Sequence, residues 1–321
     1  MRAATAASFR YLHLDVFTER PFEGNQLAVF PDAAGIPERW MQPIAREMAF
    51  SETVFFLPPV TETAHKKIRI FTPGRELPFA GHPTIGSAFV WGKEFGDGSC
   101  PGSITLELNV GPILVTLDWA RGRAGHDELA FAWMHQPKPV FTPPIGSDAG
   151  PVGIAAASAA LLHALHAPAG ATFLAPPQLV SSGVPFLFAA LADQATVDAC
   201  VPDGSRLAEF FAATGIEPTG VFLFSRASTP DATLYSRMFG AAFGIAEDPA
   251  TGGASGPLGA YALATGIVTA DEAPKLISLQ GKVMGRPSYI HIAVTGTREQ
   301  IDAVRIGGTS RFVAEGVLTL P

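Results

Sequence analysis

The sequence predicts an α+β fold of two similar halves, each a set of short strands around one buried helix. Three observations carry this. Arg69-Ile70-Phe71 and Arg237-Met238-Phe239 each lead through a Pro- and Gly-rich loop into an apolar helix, so the chain repeats at about half its length. Both helices, expected over 84–95 and 254–265, are apolar almost all round, the pattern of a helix covered on every side. The 33 glycines and 28 prolines in 321 residues suit many short strands joined by turns. With 47% hydrophobic residues the chain can bury such cores. The proline-dense stretch 137–144 marks the expected boundary, giving domains 1–140 and 141–321, with the last strands free to pack back on the first domain.

The elements follow in order. Residues 10–17 alternate Tyr11, His13, Asp15 and Phe17 with Leu12, Leu14 and Val16, and read as a strand. A second strand over 26–30 stops at Pro31. Residues 37–48 read as a helix with Trp40, Ile44 and Met48 on one face; Pro43 either kinks it or marks its true start. Phe50-Ser51-Glu52-Thr53 then sets a carboxylate at the mouth of an apolar strand over 54–57, closed by Pro58-Pro59. After a strand over 66–71, Pro83 suits the first turn of the first apolar helix, and Gly96-Asp97-Gly98 marks its end. Further strands are expected over 103–108, 113–117 and 130–136. In the second half, helices are expected over 155–166 and 203–214. Strands are expected over 178–182, 185–190, 220–225, 233–239, 274–281, 288–294 and 306–313, with Gly316-Val317-Leu318 closing the chain.

Several function classes fall away. The chain has no apolar run of the ~18 residues that a transmembrane helix needs. Its first eight residues lack the apolar core of a secretory signal, so the cytoplasm is the expected location and no membrane is expected as a partner. A formal charge of −7 without a basic stripe does not suit nucleic acid. Two cysteines, Cys100 and Cys200, make neither a disulfide framework nor a metal site. His163 and His166 share a face of their expected helix but have no third ligand nearby, so no metal is expected there. No Gly-x-Ser-x-Gly, Gly-Lys-Ser/Thr or Gly-x-Gly-x-x-Gly motif appears, which disfavours acyl-enzyme, nucleotide and hydride chemistry.

The repeated helix starts suggest a small carboxylate. A helix start carries unpaired N–H groups and about half a positive charge, and glycines there let an anion approach the backbone. Gly81-His82-Pro83-Thr84 and Thr251-Gly252-Gly253-Ala254 are two such starts, read here as the two halves of one active site. His82 sits where the positive helix end disfavours protonation, favouring a neutral imidazole. Glu52 is flanked by Phe50, Val54, Phe55 and Phe56, surroundings that raise a carboxyl pKa towards neutrality. Asp248 stands just before Thr251. Each of the three also has a plainer role: edge charge or cap for Glu52, structural residue for His82, turn former for Asp248. Taken together, three proton-handling groups and two anion-binding helix starts point to proton transfer on a small carboxylate.

At these residues the sequence resembles the PhzF family of phenazine-biosynthesis-like proteins, within the diaminopimelate-epimerase fold. The match runs through Leu14-Asp15-Val16-Phe17, Phe22-Glu23-Gly24-Asn25, Ser51-Glu52-Thr53 and Glu76-Leu77-Pro78-Phe79-Ala80-Gly81-His82-Pro83-Thr84. It continues at Glu247-Asp248-Pro249-Ala250-Thr251-Gly252, Gln280-Gly281, Gly285-Arg286-Pro287-Ser288, Gly307-Gly308 and Gly316. The resemblance implies two pseudo-symmetric domains, each a β-barrel-like sheet around a central helix, with the active site between them. It also implies a cytoplasmic, cofactor-free, homodimeric isomerase. In the family's phenazine enzyme the glutamate matching Glu52 moves a proton in trans-2,3-dihydro-3-hydroxyanthranilate, and His82 and Asp248 match residues that assist around the substrate. Asn25, Gly81, Pro83, Thr84, Thr251, Gly252, Gly253 and Ala254 are the expected substrate-binding positions. The chain departs from the family at Gly253, commonly Ser, and at Gln26, commonly Pro. Related racemases place a thiol at each helix start, and this chain has none there, which disfavours two-thiol epimerisation. A metal-free epimerase using Glu52 with a second base, and a non-catalytic carboxylate-binding protein, are the alternative readings.

Overall fold

The computed structural model describes residues 7–96, 98–122, 125–241 and 245–320. The expectation for the first eight residues falls largely outside them, and the helix-end mark at Asp97 wholly outside. The chain forms two compact units, Met1–His135 with Gly307–Pro321, and Gln136–Ile306. The final strand, Ser310–Leu320, belongs with the first unit, pairing antiparallel along the whole of Ala7–Val16.

In the first unit, Ala7–Val16 lies antiparallel to Asn25–Phe30, which runs parallel to Glu52–Leu57. A parallel pair needs a crossover, and the helix Glu38–Met48 supplies it. Pro43 lies inside that helix, so it does not mark the start; the helix runs through it without that N–H. Glu52–Leu57 then pairs antiparallel with Lys66–Phe71, and this strand runs parallel to Ser103–Leu108, which turns back antiparallel into Gly111–Arg121. The central helix is Gly81–Glu94, three residues earlier than expected, and every residue from Gly81 to Trp91 is buried. It packs on Ala7–Val16, Asn25–Phe30, Glu52–Leu57 and Ser310–Leu320, which explains why it carries no polar face. Gly86 allows this approach: a Cβ there would stand 2.5 Å from Leu27 Cδ2.

The second unit repeats the pairing sequence. Gln178–Ser181 is antiparallel to Pro185–Ala190, which is parallel to Gly220–Arg226. That strand is antiparallel to Leu234–Gly240, itself parallel to Leu276–Gln280, which is antiparallel to Ser288–Gly296. The order of antiparallel and parallel steps matches the first unit at all five pairings. Its central helix, Gly252–Ala264, is buried over nearly its whole length and packs on Gln178–Ser181, Pro185–Ala190 and Ser288–Gly296.

Some expectations need correction. The helix expected over 155–166 spans Gly150–Ala164, and His166 lies beyond its end with φ 45°. His163 and His166 therefore share no helix face, and His166 Nδ1 lies 3.0 Å from the Val201 carbonyl. The proline-dense stretch also holds a short strand: Val140–Phe141 pairs with Val180 and Ser181 inside the second unit. The strands Glu76–Leu77 and Ile245–Asp248 were not expected, being too short to show a period, whereas the helix-like run that ends at Cys200 is the helix Gln194–Ala199. No helix among the described residues is long and apolar enough to cross a membrane.

Candidate active site

The first unit brings together Asn25, Glu52 and His82. Glu52 is the first residue of its strand rather than a residue of the loop before it, and it sits opposite Leu27 in the parallel pair. His82 is the second residue of the central helix. Strand register and helix start thus set the carboxylate and the imidazole together, with Glu52 Oε2 3.3 Å from His82 Nε2. Both side chains are buried, so Glu52 is no solvated edge charge. Asn25 Nδ2 lies 3.3 Å from His82 Nδ1.

Burial pushes the His82 pKa down to about 3, and a hydrogen bond with the Gln26 backbone opposes this only weakly. The imidazole is neutral at physiological pH, as the helix start suggested, so its 3.3 Å approach to Glu52 is not an ion pair. A pH dependence follows. The unfolded chain protonates this imidazole below about 6.5 and the folded chain only near 3. The His82 contribution to stability is therefore complete above about pH 6.5, falls as pH drops towards 3, and is level below that. Urea unfolding of the wild type and His82→Gln at pH 7, 5 and 4 should show a gap that shifts in favour of the variant as pH falls.

Which backbone donors remain at this helix start follows from chemistry. Helix geometry leaves the first N–H groups without intrahelical acceptors. Gly81 and His82 have such groups, whereas Pro83 has no N–H. The Thr84 hydroxyl donates to the Ala80 carbonyl at 2.7 Å, so it caps the helix's own turn. Of the four residues read from the sequence, Gly81 and His82 are the backbone donors.

The second unit groups Asp248 and Thr251 to Ala254. Asp248 ends the short strand Ile245–Asp248 and is buried. The Thr251 hydroxyl donates to Asp248 Oδ2 at 2.6 Å. The Thr251 N–H is already used, donating to Gln280 Oε1 at 3.0 Å, and the Ala254 N–H donates to the Thr251 carbonyl at 3.1 Å. As at the first start, two glycine-region donors are left by helix geometry, here Gly252 and Gly253. Ser255 Oγ donates to the Thr251 carbonyl at 2.9 Å, as Thr84 does to Ala80.

A pair of buried or half-buried forks, missed in the sequence, delivers these helix starts. Arg69 donates through Nε and Nη2 to Glu76 at 2.8 and 2.7 Å, and Arg237 through Nε and Nη2 to Glu247 at 2.8 and 2.9 Å. The Arg69 hydrogen bonds hold the Glu76 carboxyl below its usual range. Each glutamate stands five residues before the first residue of its central helix, Gly81 or Gly252. That equal spacing was the available signal. It also refines the repeat register: the offset is 168 residues from Phe71 to Phe239 but 171 from Glu76 to Glu247, so the second fork holds three extra residues between its arginine and its glutamate.

The register shows what each proton-handling group corresponds to. Thr53 lies opposite Phe71 and Val221 opposite Phe239, so Glu52 corresponds to Gly220. His82 corresponds to Gly253, and Asp248 to Leu77. The Glu52–His82 pair thus has no counterpart at the corresponding positions of the second unit, Gly220 and Gly253.

A family model described as phenazine biosynthesis-like protein, PhzC-PhzF, matches residues 14–316. The chain belongs to the PhzC-PhzF family. The trans-2,3-dihydro-3-hydroxyanthranilate isomerase of Pseudomonas fluorescens is 34% identical over 310 residues, covering 97% of this chain and 99% of the relative. Among solved structures, a PhzF-family phenazine biosynthesis protein from Bacillus anthracis shares the fold at a TM-score of 0.76 and 23% identity, over 97% of this chain and 99% of that one. A protein described as a predicted epimerase from Pseudomonas aeruginosa aligns at a TM-score of 0.75 and 28% identity, again over 97% and 99% of the two chains. PhzF members thus share with this chain a mixed, strongly curled sheet with few helices, an α+β architecture.

Proposed function

We propose that the protein is an isomerase that relocates one hydrogen and one double bond in a small ring-bearing amino carboxylate; the Pseudomonas fluorescens relative is named a trans-2,3-dihydro-3-hydroxyanthranilate isomerase. The observation that carries this reading is the one-sided pairing of Glu52 with a neutral His82. Racemisation by two bases needs a proton acceptor at each helix start. Here the positions corresponding to Glu52 and His82 are Gly220 and Gly253, and the acid at the second start, Asp248, is engaged by the Thr251 hydroxyl. A single carboxylate that takes a proton from one carbon and returns it to another suits isomerisation instead.

In this reading Glu52 is the general acid/base. His82, held by Asn25, stays neutral, so it lies beside Glu52 without pairing its charge. The N–H groups of Gly81 and His82 in the first unit, and of Gly252 and Gly253 in the second, are the anion donors, and Asp248, oriented by Thr251, is the assisting acid. Conversion of trans-2,3-dihydro-3-hydroxyanthranilate, followed by ultraviolet absorbance and proton NMR, tests the proposal. Movement of the ring double bond supports it. Inversion of a stereocentre with the double bonds unmoved would favour the epimerase reading, and binding without any change a non-catalytic one.

A further inference from the structure

We infer that Gln280 is a positioning residue that sets the second helix start and its acid for substrate, an inference that rests on the isomerase reading above. Gln280 is fully buried, and all three of its observed hydrogen bonds go to one loop. Its Oε1 accepts the Thr251 N–H at 3.0 Å, and its Nε2 donates to the Asp248 carbonyl at 2.8 Å and to Thr251 Oγ1 at 2.9 Å. This last bond has a directional consequence. An amide N–H can only donate, so Thr251 Oγ1 accepts it and must send its own hydrogen elsewhere. The acceptor is Asp248 Oδ2 at 2.6 Å. Gln280 thereby fixes the rotor of Thr251, and Thr251 fixes the carboxylate of Asp248.

The unit-to-unit comparison shows why such a clamp is needed only here. Lys66 lies opposite Leu106 in the first unit, and Leu234 opposite Ser278 in the second, so Gln280 corresponds to Leu108. Leucine there makes no hydrogen bond to the first helix start. That start has Pro83 in its first turn, which fixes the backbone on its own. The second start instead opens with Gly252-Gly253, the least restrained backbone available. It also carries an acid, Asp248, where the first carries Leu77. Gln280 supplies by hydrogen bonds the restraint that Pro83 supplies covalently. It simultaneously occupies the Thr251 N–H, which confines anion binding to the two glycine donors. Gly281 continues the clamp: with φ 73°, a Cβ there would stand 2.6 Å from the Pro249 carbonyl oxygen, so the strand end closes directly on the Asp248–Thr251 loop.

The test separates positioning from packing. Gln280→Met keeps the volume and removes the three bonds; Thr251→Val removes only the hydroxyl link. With trans-2,3-dihydro-3-hydroxyanthranilate, Gln280→Met should raise KM about tenfold, the scale of one lost positioning hydrogen bond, and leave kcat within about twofold, because the proton is moved by Glu52. Thr251→Val should raise KM similarly, and the double variant should add little, since both act through one hydroxyl. An unchanged KM, a loss of kcat equal to the loss in kcat/KM, or fully additive effects would overturn the inference. If Gln280→Met does not fold, the Thr251→Val result decides. If the wild type does not turn the substrate over, the isomerase reading fails by itself. The clamp is then judged by 2-aminobenzoate titration of the same variants, where about tenfold weaker binding sustains it, and equal affinity, or no binding by the wild type, overturns it.

Discussion

Glu52→Gln is expected to lower kcat by at least about a hundredfold, the lower end of what a positioned general acid/base contributes. The substitution keeps the shape of the side chain and a polar atom facing His82 Nε2, now 3.3 Å from Glu52 Oε2. It removes only the capacity to take and return a proton. Binding should change little, because the anion donors are the backbone groups of the helix starts, and the thermal midpoint should be held or raised, since a buried ionisable group is replaced by a neutral one. Steady-state kinetics with purified variant and wild type, alongside a melting curve, check both parts. A variant with full turnover would remove Glu52 from the chemistry.

Arg237→Met is expected to destabilise the protein by about 3–5 kcal/mol, the range for leaving one partner of a buried ion pair without the other. Arg237 is 7% exposed and forks onto Glu247. Its Nη1 also donates to the carbonyls of Val197, Asp198 and Cys200 at 3.2, 3.1 and 3.0 Å, where the helix Gln194–Ala199 ends. Removing the guanidinium leaves a half-buried carboxylate and three carbonyls short of a donor, five residues before the second helix start. The natural control is Arg226, whose fork onto Glu272 has comparable geometry but a side chain 49% exposed. Arg226→Met should cost no more than about 1 kcal/mol. Guanidinium unfolding of both variants reads the contrast, and equal losses would show that burial does not set the value of these forks.

The sequence carried the repeat, the two buried helices and most strands because each has a local signature: apolar periodicity, a Pro-Gly loop, a Gly-rich helix start. It also singled out Glu52 and His82, although their contact needs the strand register that puts Glu52 opposite Leu27. What it did not carry were relations between distant residues. Gln280 reaches Thr251 across 29 positions, and nothing local in Gln280-Gly281 shows that it uses up an N–H otherwise read as an anion donor. The three-residue shift of the repeat became visible only once the Arg69–Glu76 and Arg237–Glu247 forks were paired. His166 was placed on a helix face because the chain stays apolar up to it, while the backbone leaves the helix at Ala164. The missing N–H of Pro83 was legible from the residue type alone, and it narrows the first anion seat to Gly81 and His82.

The central claim is that one carboxylate, Glu52, moves a hydrogen between two carbons without a second base. The fate of that hydrogen in D2O tests it most directly. Proton and deuterium NMR of the product should show a new C–H or C–D bond only at the carbon that the double bond has left, with other stereocentres unchanged and the whole signal lost in Glu52→Gln. Deuterium entering with inversion at a single carbon, while the double bonds stay in place, would contradict it.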